Sequence, residues 1–288
     1  MAVYYYTNTL LNIKDMITIN DLSFSYNEKT VLKNITMNLE EGRIYGLLGE
    51  NGVGKTTLLT LLCGLKKVKT GSIDIDGYNP YDRNPSFLSE QFYLSDEVAG
   101  ANMTAAGYAR NYGKFWDKFD YDKFIEVMGV FENDIDMKMN EMSCGQLKKT
   151  YISFALACNT KYLFMDEPTN GLDIPSKAQF RKALMKYTSE DAVILISTHQ
   201  VRDLENIIDP IIILDRQDVL LNASVEEITQ KLYFDYSGEK AEDSLYSELI
   251  PGSNISVRIN TTGEDSKINI EALFNTVHMH KDIIKGMF

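Results

Sequence analysis

The sequence predicts an α/β fold in which a mainly parallel β-sheet is covered by helices on both faces. The first observation is an alternation of apolar runs and helical segments, with strands predicted at 162–165, 192–197 and 211–214 and helices at 176–187 and 201–207. The second is a glycine-rich segment, residues 49–56, between an apolar run and a helix start. Because parallel strands need crossover connections, this alternation favours a sheet buried between helical layers.

The N-terminal part of the chain predicts an antiparallel β subdomain. Residues 17–26 alternate apolar and polar side chains with one shift of phase, which is typical of an antiparallel strand. Turns are predicted at 27–29 and at 41–42. The remaining strands predicted here are 31–39, 44–48 and 70–77.

A helical insert is predicted at about 95–142. Aromatic side chains recur there at helical spacing, and no strand pattern is visible. The members of this stripe are Tyr108, Tyr112, Phe115, Trp116, Phe119, Phe124 and Met128. We interpret the stripe as core packing rather than as a ligand site.

The pattern becomes sparser after residue 223. A helix at 225–233, a strand at 255–259 and a final helix from Ile270 predict a small α+β accessory region. The predicted domain organisation is therefore an N-terminal extension, 1–15, a main domain, 16–223, and a C-terminal accessory region, 224–288.

The composition indicates a globular, acidic protein. The chain has 288 residues, of which 44% are hydrophobic, and a formal net charge of −12. That charge argues against nucleic-acid binding and against direct adsorption to an anionic membrane. Three cysteines without C-x-x-C spacing predict reduced thiols, and neither a signal peptide nor a spanning segment is visible. We therefore expect a cytoplasmic protein.

The glycine-rich segment reads GENGVGKT and matches the pattern G-x-x-x-x-G-K-[ST]. Its position between a buried strand and a helix is the context in which this pattern binds a nucleoside triphosphate, because loop N–H groups and a helix N-terminus surround the phosphates. Lys55 is expected to reach the β- and γ-phosphates, and the Thr56 hydroxyl to bind Mg²⁺. The predicted nucleotide contacts are Gly49, Asn51, Gly52, Gly54, Lys55, Thr56 and Thr57.

Acidic and basic side chains follow two other predicted strands. Asp166 stands at the end of one apolar run, where it can hold Mg²⁺, and Glu167 beside it can orient or deprotonate water. His199 follows another strand and is placed to contact a γ-phosphate. These three residues are candidates for metal binding and catalysis.

Residues 142–146 form a second candidate anion site. Ser143 stands where the N-cap of the following helix, 147–157, is expected. One nucleotide within one subunit does not obviously need two helix N-termini. We therefore predict that Ser143, Gly145 and Gln146 complete the site of a second subunit.

Together these segments resemble the ATPase subunit of an ATP-binding-cassette (ABC) transporter over about residues 16–223. The matching motifs, in order, are Walker A at 49–56, the signature L-S-G-G-Q at 142–146, Walker B with its catalytic glutamate at 164–167, the D-loop at 171–173 and the switch histidine at His199. The resemblance implies a P-loop NTPase cassette that hydrolyses ATP with Mg²⁺. It also implies that Tyr26 stacks on adenine.

The chain departs from the family pattern at two points. Cys144 replaces the first glycine of the signature, while Ser143 and Gly145 are retained. The family's Q-loop glutamine follows a short strand, and here either Glu90 or Gln91 can be aligned with it. We assign Gln91 as the predicted Mg²⁺ and γ-phosphate sensor.

The resemblance also implies partners. The signature run, the helical insert and the C-terminal tail are similar to small bacterial exporter ATPases of the GntR-linked type, which export antibiotic peptides or toxins. A membrane-spanning permease on a separate chain, and a second cassette, identical or paralogous, would then hold this chain at the inner face of the cell membrane. The alternatives are a soluble ABC ATPase with a non-membrane partner and, less favoured, a small-molecule kinase.

Overall fold

The computed structural model describes residues 15–238, 243–250 and 252–288. Of the predicted extension 1–15, only Asp15 lies within these ranges. The strands are β1 (Asp15–Tyr26), β2 (Lys29–Glu40), β3 (Arg43–Leu48), β4 (Thr70–Ile75), β5 (Gln91–Leu94), β6 (Tyr162–Asp166), β7 (Val193–Thr198), β8 (Ile211–Asp215), β9 (Asp218–Ala223), β10 (Leu232–Asp235), β11 (Tyr246–Ile250) and β12 (Ser253–Ile259). The helices are α1 (Lys55–Leu62), α2 (Pro85–Leu88), α3 (Ala105–Tyr112), α4 (Tyr121–Val130), α5 (Cys144–Ala157), α6 (Ile174–Tyr187), α7 (Val225–Lys231), α8 (Ile270–Met279) and α9 (Lys281–Met287).

A six-stranded sheet with the order β5-β6-β7-β3-β8-β9 forms the centre of the molecule. The first five of these strands pair in parallel, and β9 pairs antiparallel with β8. Every residue of β6 and β7 is buried, as expected for strands covered on both faces. The predicted mixed α/β fold is confirmed.

The two faces of this sheet bury different partners. Alternating residues of β7 contribute Leu195 to one apolar cluster and Ile194 and Ile196 to the other. The first cluster includes α1 and a three-stranded antiparallel sheet with the order β2-β1-β4. The second includes α5, α6, the helical insert and the C-terminal region. The sheet is therefore packed between two layers, and a functional site can lie at the ends of its strands.

Aromatic packing organises the helical insert. The ring of Phe154 on α5 lies 5.1–6.5 Å from the rings of Phe92, Tyr108, Trp116, Phe119 and Phe124. Most of the aromatic stripe is thus core packing, as interpreted from the sequence. Phe115 and Tyr112 are the exceptions, because 63% and 40% of their surfaces are exposed.

Three sequence-based element predictions are wrong. Residues 201–207 form only a short 3₁₀ helix, Val201–Asp203, because so short an α-helix is marginally stable by itself and only Leu204 of this segment is buried to support one. The helix predicted at 225–233 ends at Lys231, and the following residues pair with β12 instead. The strand expected before Gln91 is the helix α2, and the strand itself begins at Gln91.

The C-terminal region packs on the main domain. A second antiparallel sheet, β10-β12-β11, and helices α8 and α9 share a buried cluster with β8. Leu273, Val277 and Ile284 are completely buried in that cluster, and Lys281 forms an ion pair with the buried Asp215 at the end of β8. Within the described ranges, no helix combines the length and apolar character needed to cross a bilayer.

Candidate functional site

The carboxyl ends of three neighbouring parallel strands, β3, β7 and β6, meet at one edge of the central sheet. The segments that follow them carry the glycine-rich loop, His199 and Glu167. Such an edge is the usual ligand site of an open α/β sheet. A cavity of about 560 Å³ lies there, lined by Tyr26, Lys29, Val31, Asn51, Gly52, Gly54, Lys55, Thr56, Thr57, Ser95, Asp96, Glu97, Asp166 and Glu167.

Two glycines allow the loop to adopt its shape. A Cβ atom on Gly49 would lie 2.6 Å from the carbonyl oxygen of Leu214, so no larger residue fits there without a backbone shift. Gly54 has φ of 121° and directly precedes α1, a conformation that side chains disfavour. The loop closes around Lys55, whose Nζ donates to the carbonyl oxygens of Gly49 at 2.7 Å and Glu50 at 3.2 Å.

Lys55 is buried, and burial lowers its pKa, although the nearby carboxylates Glu167 and Asp166 act in the opposite direction. Its Nζ lies 3.6 Å from Glu167 Oε1. A buried ammonium group is stabilised by additional negative charge. The cavity therefore favours an anion next to Lys55.

The side chains of Thr56, Asp166 and Ser197 form a continuous hydrogen-bond chain. The Thr56 hydroxyl donates to Asp166 Oδ2 at 2.6 Å, and the Ser197 hydroxyl donates to Asp166 Oδ1 at 2.5 Å. Asp166 is thus held from both sides at the end of β6. Hydroxyl and carboxylate oxygens are hard donors, and this pair fits the preference of Mg²⁺.

Glu167 is held in a constrained position. Its φ of 46° lies in the left-handed region, which costs about 1–3 kcal/mol for a residue other than glycine. Its backbone N–H donates to both the carbonyl and the hydroxyl oxygen of Ser197 at 3.1 Å. Oε1 lies 2.9 Å from His199 Nδ1, and Oε2 accepts from the His199 backbone N–H at 3.3 Å. The structure therefore brings the two predicted catalytic residues into contact.

Tyr26 forms one wall of the cavity and is 44% exposed. Its ring and that of Phe24 pack edge to face, with ring centroids 5.1 Å apart and planes at 83°. The hydroxyl lies 3.4 Å from Thr57 Oγ1, and Lys66 Nζ lies 5.0 Å from the ring centroid. This packing fixes the ring while leaving surface available for contact with a ligand.

The predicted second anion site lies outside this cavity. Ser143 is the N-cap of α5, and its hydroxyl accepts from the Gln146 backbone N–H at 3.3 Å. In return, the Ser143 backbone N–H donates to Gln146 Oε1 at 2.9 Å. Ser143 is exposed and Gly145 is half-buried. The structure of a single chain therefore does not bring these residues together with the glycine-rich loop.

The structure does not support the assignment of Gln91. This residue begins β5, at the opposite end of the strand from the cavity, and its side-chain amide lies 3.4 Å from the carbonyl oxygen of Cys63, just past the C-terminal end of α1. The residues that follow β5, Ser95, Asp96 and Glu97, line the cavity instead. Sequence reasoning missed them, although acidic residues directly after a strand were the signal that identified Asp166.

Comparison with known proteins places this geometry in context. The family model described as "ABC transporter" matches residues 32–170. The chain is similar to the uncharacterised ABC transporter ATP-binding protein YdbJ of Bacillus subtilis (strain 168), with 30% identity over 226 residues, 74% of this chain and 70% of YdbJ. It is also similar to the lantibiotic transport ATP-binding protein SrtF of Streptococcus pyogenes, with 29% identity over 208 residues, 67% of this chain and 84% of SrtF.

A solved structure shares the fold. The dimeric structure of MJ0796, a bacterial ABC transporter cassette, superimposes with a TM-score of 0.65 at 22% identity, covering 73% of this chain and 99% of MJ0796.

Proposed function

This chain belongs to the family of ABC transporter ATP-binding proteins and is an ATPase, and we propose that it powers an exporter by closing as a dimer on two ATP molecules. The observation that carries this proposal is the separation of two half-sites on one chain. The loop around Lys55 lies inside the cavity, whereas Ser143, which is exposed, and Gln146, which is half-buried, lie outside it, where a partner could reach them.

In this proposal each ATP is held between the loop of one subunit and the signature segment, 143–146, of the other. The MJ0796 cassette, which has the same fold, is itself a dimer. ATP can drive closure only if it binds the closed dimer more tightly than the open state. The γ-phosphate meets this condition because it contacts both half-sites, and its loss on hydrolysis weakens the interface.

The residues of the cavity have distinct tasks in this mechanism. Lys55 exchanges its carbonyl partners for phosphate oxygens, which add negative charge beside its buried ammonium. Thr56 and Asp166 would hold Mg²⁺, which supplies positive charge to the phosphate oxygens when bound. Glu167 orients or deprotonates the attacking water, and His199, in contact with its carboxylate, sets the position of that carboxylate.

A second surface fits the membrane partner. A groove of about 710 Å³ lies between β5 and the helical insert and is lined mainly by apolar and aromatic side chains, among them Phe92, Val98, Phe115 and Trp116. Ser95 and Glu97 line both this groove and the nucleotide cavity. We assign the groove to a cytoplasmic segment of a permease on another chain, since this shared loop gives the segment direct contact with the cavity.

The membrane partner is tested by capture from detergent-extracted membranes with the tagged full-length chain. The expected result is a multi-spanning membrane protein that is lost when Phe115, 63% exposed in the groove, is changed to Asp. Met185→Asp is the matched control, since Met185 is 61% exposed on α6. Capture that survives Phe115→Asp would remove the groove from the interface.

The main alternative is a soluble ABC ATPase that acts on a non-membrane partner. ATP hydrolysis by the purified chain, with no membrane protein captured, would favour that alternative. The cargo of the proposed exporter is a peptide, toxin or antibiotic, supported by the similarity to the lantibiotic transport protein SrtF.

A further inference from the structure

Three residues from three different elements meet beside the nucleotide cavity. Asp96 follows β5, Lys148 lies on α5, and Asn170 lies in the turn after β6. Lys148 Nζ donates to the backbone carbonyl of Asp96 at 2.5 Å and lies 3.4 Å from Asp96 Oδ1. The Asn170 amide lies 3.2 Å from Asp96 Oδ1 and 3.4 Å from Oδ2. Asp96 is therefore the common partner of the other two residues.

The burial of Lys148 makes this cluster sensitive to change. Its side chain is only 5% exposed, and burial lowers its pKa while the nearby Asp96 carboxylate raises it. The remaining partner of its ammonium group is the carbonyl oxygen of Ser95 at 3.3 Å. The Asp96 side chain is 38% exposed, so removing its charge leaves the Lys148 ammonium buried without its carboxylate partner, whereas removing both charges avoids that cost.

Each member of the cluster lies on or beside a different structural part of the proposed ATPase site. Asp96 lines the nucleotide cavity of its own subunit. Lys148 lies five residues after Ser143 on the same helix, α5. Asn170 donates its backbone N–H to the carbonyl oxygen of Glu167 at 3.1 Å. The cluster thus joins the edge of the cavity, the signature helix and the turn that carries the predicted base.

We infer that the Asp96–Lys148–Asn170 cluster couples the nucleotide cavity of a subunit to the signature segment that this subunit presents to its partner. Asp96 acts as a positioning residue: it fixes α5, and with it Ser143, relative to the occupied cavity. This inference rests on the proposed ATP-driven dimer. It predicts that damage to the cluster separates ATP binding from dimer closure, because binding needs only one subunit and closure needs the correct placement of α5.

The test is a double-mutant cycle of Asp96→Asn and Lys148→Gln in the full-length chain, with Glu167→Gln added to slow hydrolysis. ATP affinity of the monomer is measured by calorimetry, and ATP-driven dimerisation by sedimentation. For Lys148→Gln we expect ATP affinity to stay within about twofold while dimerisation needs about tenfold more ATP. In the double variant, the increase in the ATP concentration needed for dimerisation is expected to be smaller than the product of the two single increases. The reason is that no buried charge is left unpaired.

Lys149→Gln is the matched control, because it removes the neighbouring, less buried lysine of the same helix and should leave both measurements unchanged. Asn170→Ala, which leaves the Asp96–Lys148 ion pair intact, is the variant to use if a charge variant does not fold, and it should also weaken dimerisation more than ATP binding. The coupling would be overturned if the effects of Asp96→Asn and Lys148→Gln on dimerisation simply multiply in the double variant. It would also be overturned if the variants lose ATP binding and dimerisation equally. A parent protein that binds ATP without dimerising would instead refute the proposed function, and the coupling with it.

Discussion

The starts of helices α1 and α5 are both candidate phosphate contacts, but they are built differently. α1 follows Gly54, which offers no side-chain cap, and its first residue, Lys55, is buried. α5 follows Ser143, which is exposed and forms a reciprocal capping box with Gln146. The first helix therefore keeps the N–H groups of its first turn free of a side-chain cap, whereas the second satisfies part of its own through the capping box.

In the proposed dimer, this difference would make the two halves of each nucleotide site unequal. The half at α1 lies in a formed cavity, which we expect to be sufficient for ATP binding. The half at α5, with Ser143 exposed and Gln146 half-buried, would contribute to a site only in contact with a second subunit. Changes at the first half are expected to affect binding or chemistry, and changes at the second to affect assembly.

The largest expected effect is on chemistry in the α1 half. Glu167→Gln should lower ATP turnover by about 10²–10⁴-fold, since the variant keeps the shape of the side chain but loses its basicity. ATP affinity, measured separately, should be retained. The exposed Glu190→Gln serves as the control and should behave as the parent. Near-normal turnover of Glu167→Gln would assign the role of general base to another residue, and His199 would be the first candidate.

The next effect separates the two halves directly. Ser143→Arg should bind ATP as a monomer but fail to dimerise, because the large cation fills the contact made by the α5 half. Lys55→Ala should fail at the α1 half. In a mixed dimer of the two variants one site carries both changes and the other carries neither, so turnover should return in part. ATP-driven dimerisation of Ser143→Arg at the parent level would show that Ser143 does not complete a partner's site.

The smallest effect concerns the base pocket. Tyr26→Ala should weaken ATP binding by about 1–3 kcal/mol, the usual contribution of stacking on a base, whereas Tyr26→Phe should bind nearly as well because stacking needs only the ring. Tyr81→Ala is a close control, since Tyr81 is 43% exposed and has Lys67 Nζ 5.8 Å from its ring centroid. Equal losses from Tyr26→Ala and Tyr26→Phe would assign the effect to the hydroxyl and its contact with Thr57.

The sequence-based predictions are most accurate where the signal lies within one contiguous segment of the chain. The strand, loop and helix around Lys55 are contiguous, and the structure has them as predicted. Glu167 and His199 were each predicted at a strand end, and their contact arises because β6 and β7 are neighbours in the sheet. Gln91 was misassigned because β5 begins at this residue instead of ending before it. A strand of four residues is too short for its sequence pattern to show where it begins and ends.

By itself, the sequence determined the chemistry: which residues can hold phosphate, metal and water, and in what order along an α/β fold. It could do so because these signals are local combinations of loop glycines, strand ends and helix caps. Only the tertiary structure decided which distant residues share the site. Asp96 meets Lys148 across 52 residues and Asn170 across 74, through the parallel pairing of β5 with β6 and the packing of α5 beside β5. Contacts of this kind depend on strand order and helix placement, and no short sequence pattern records either of them.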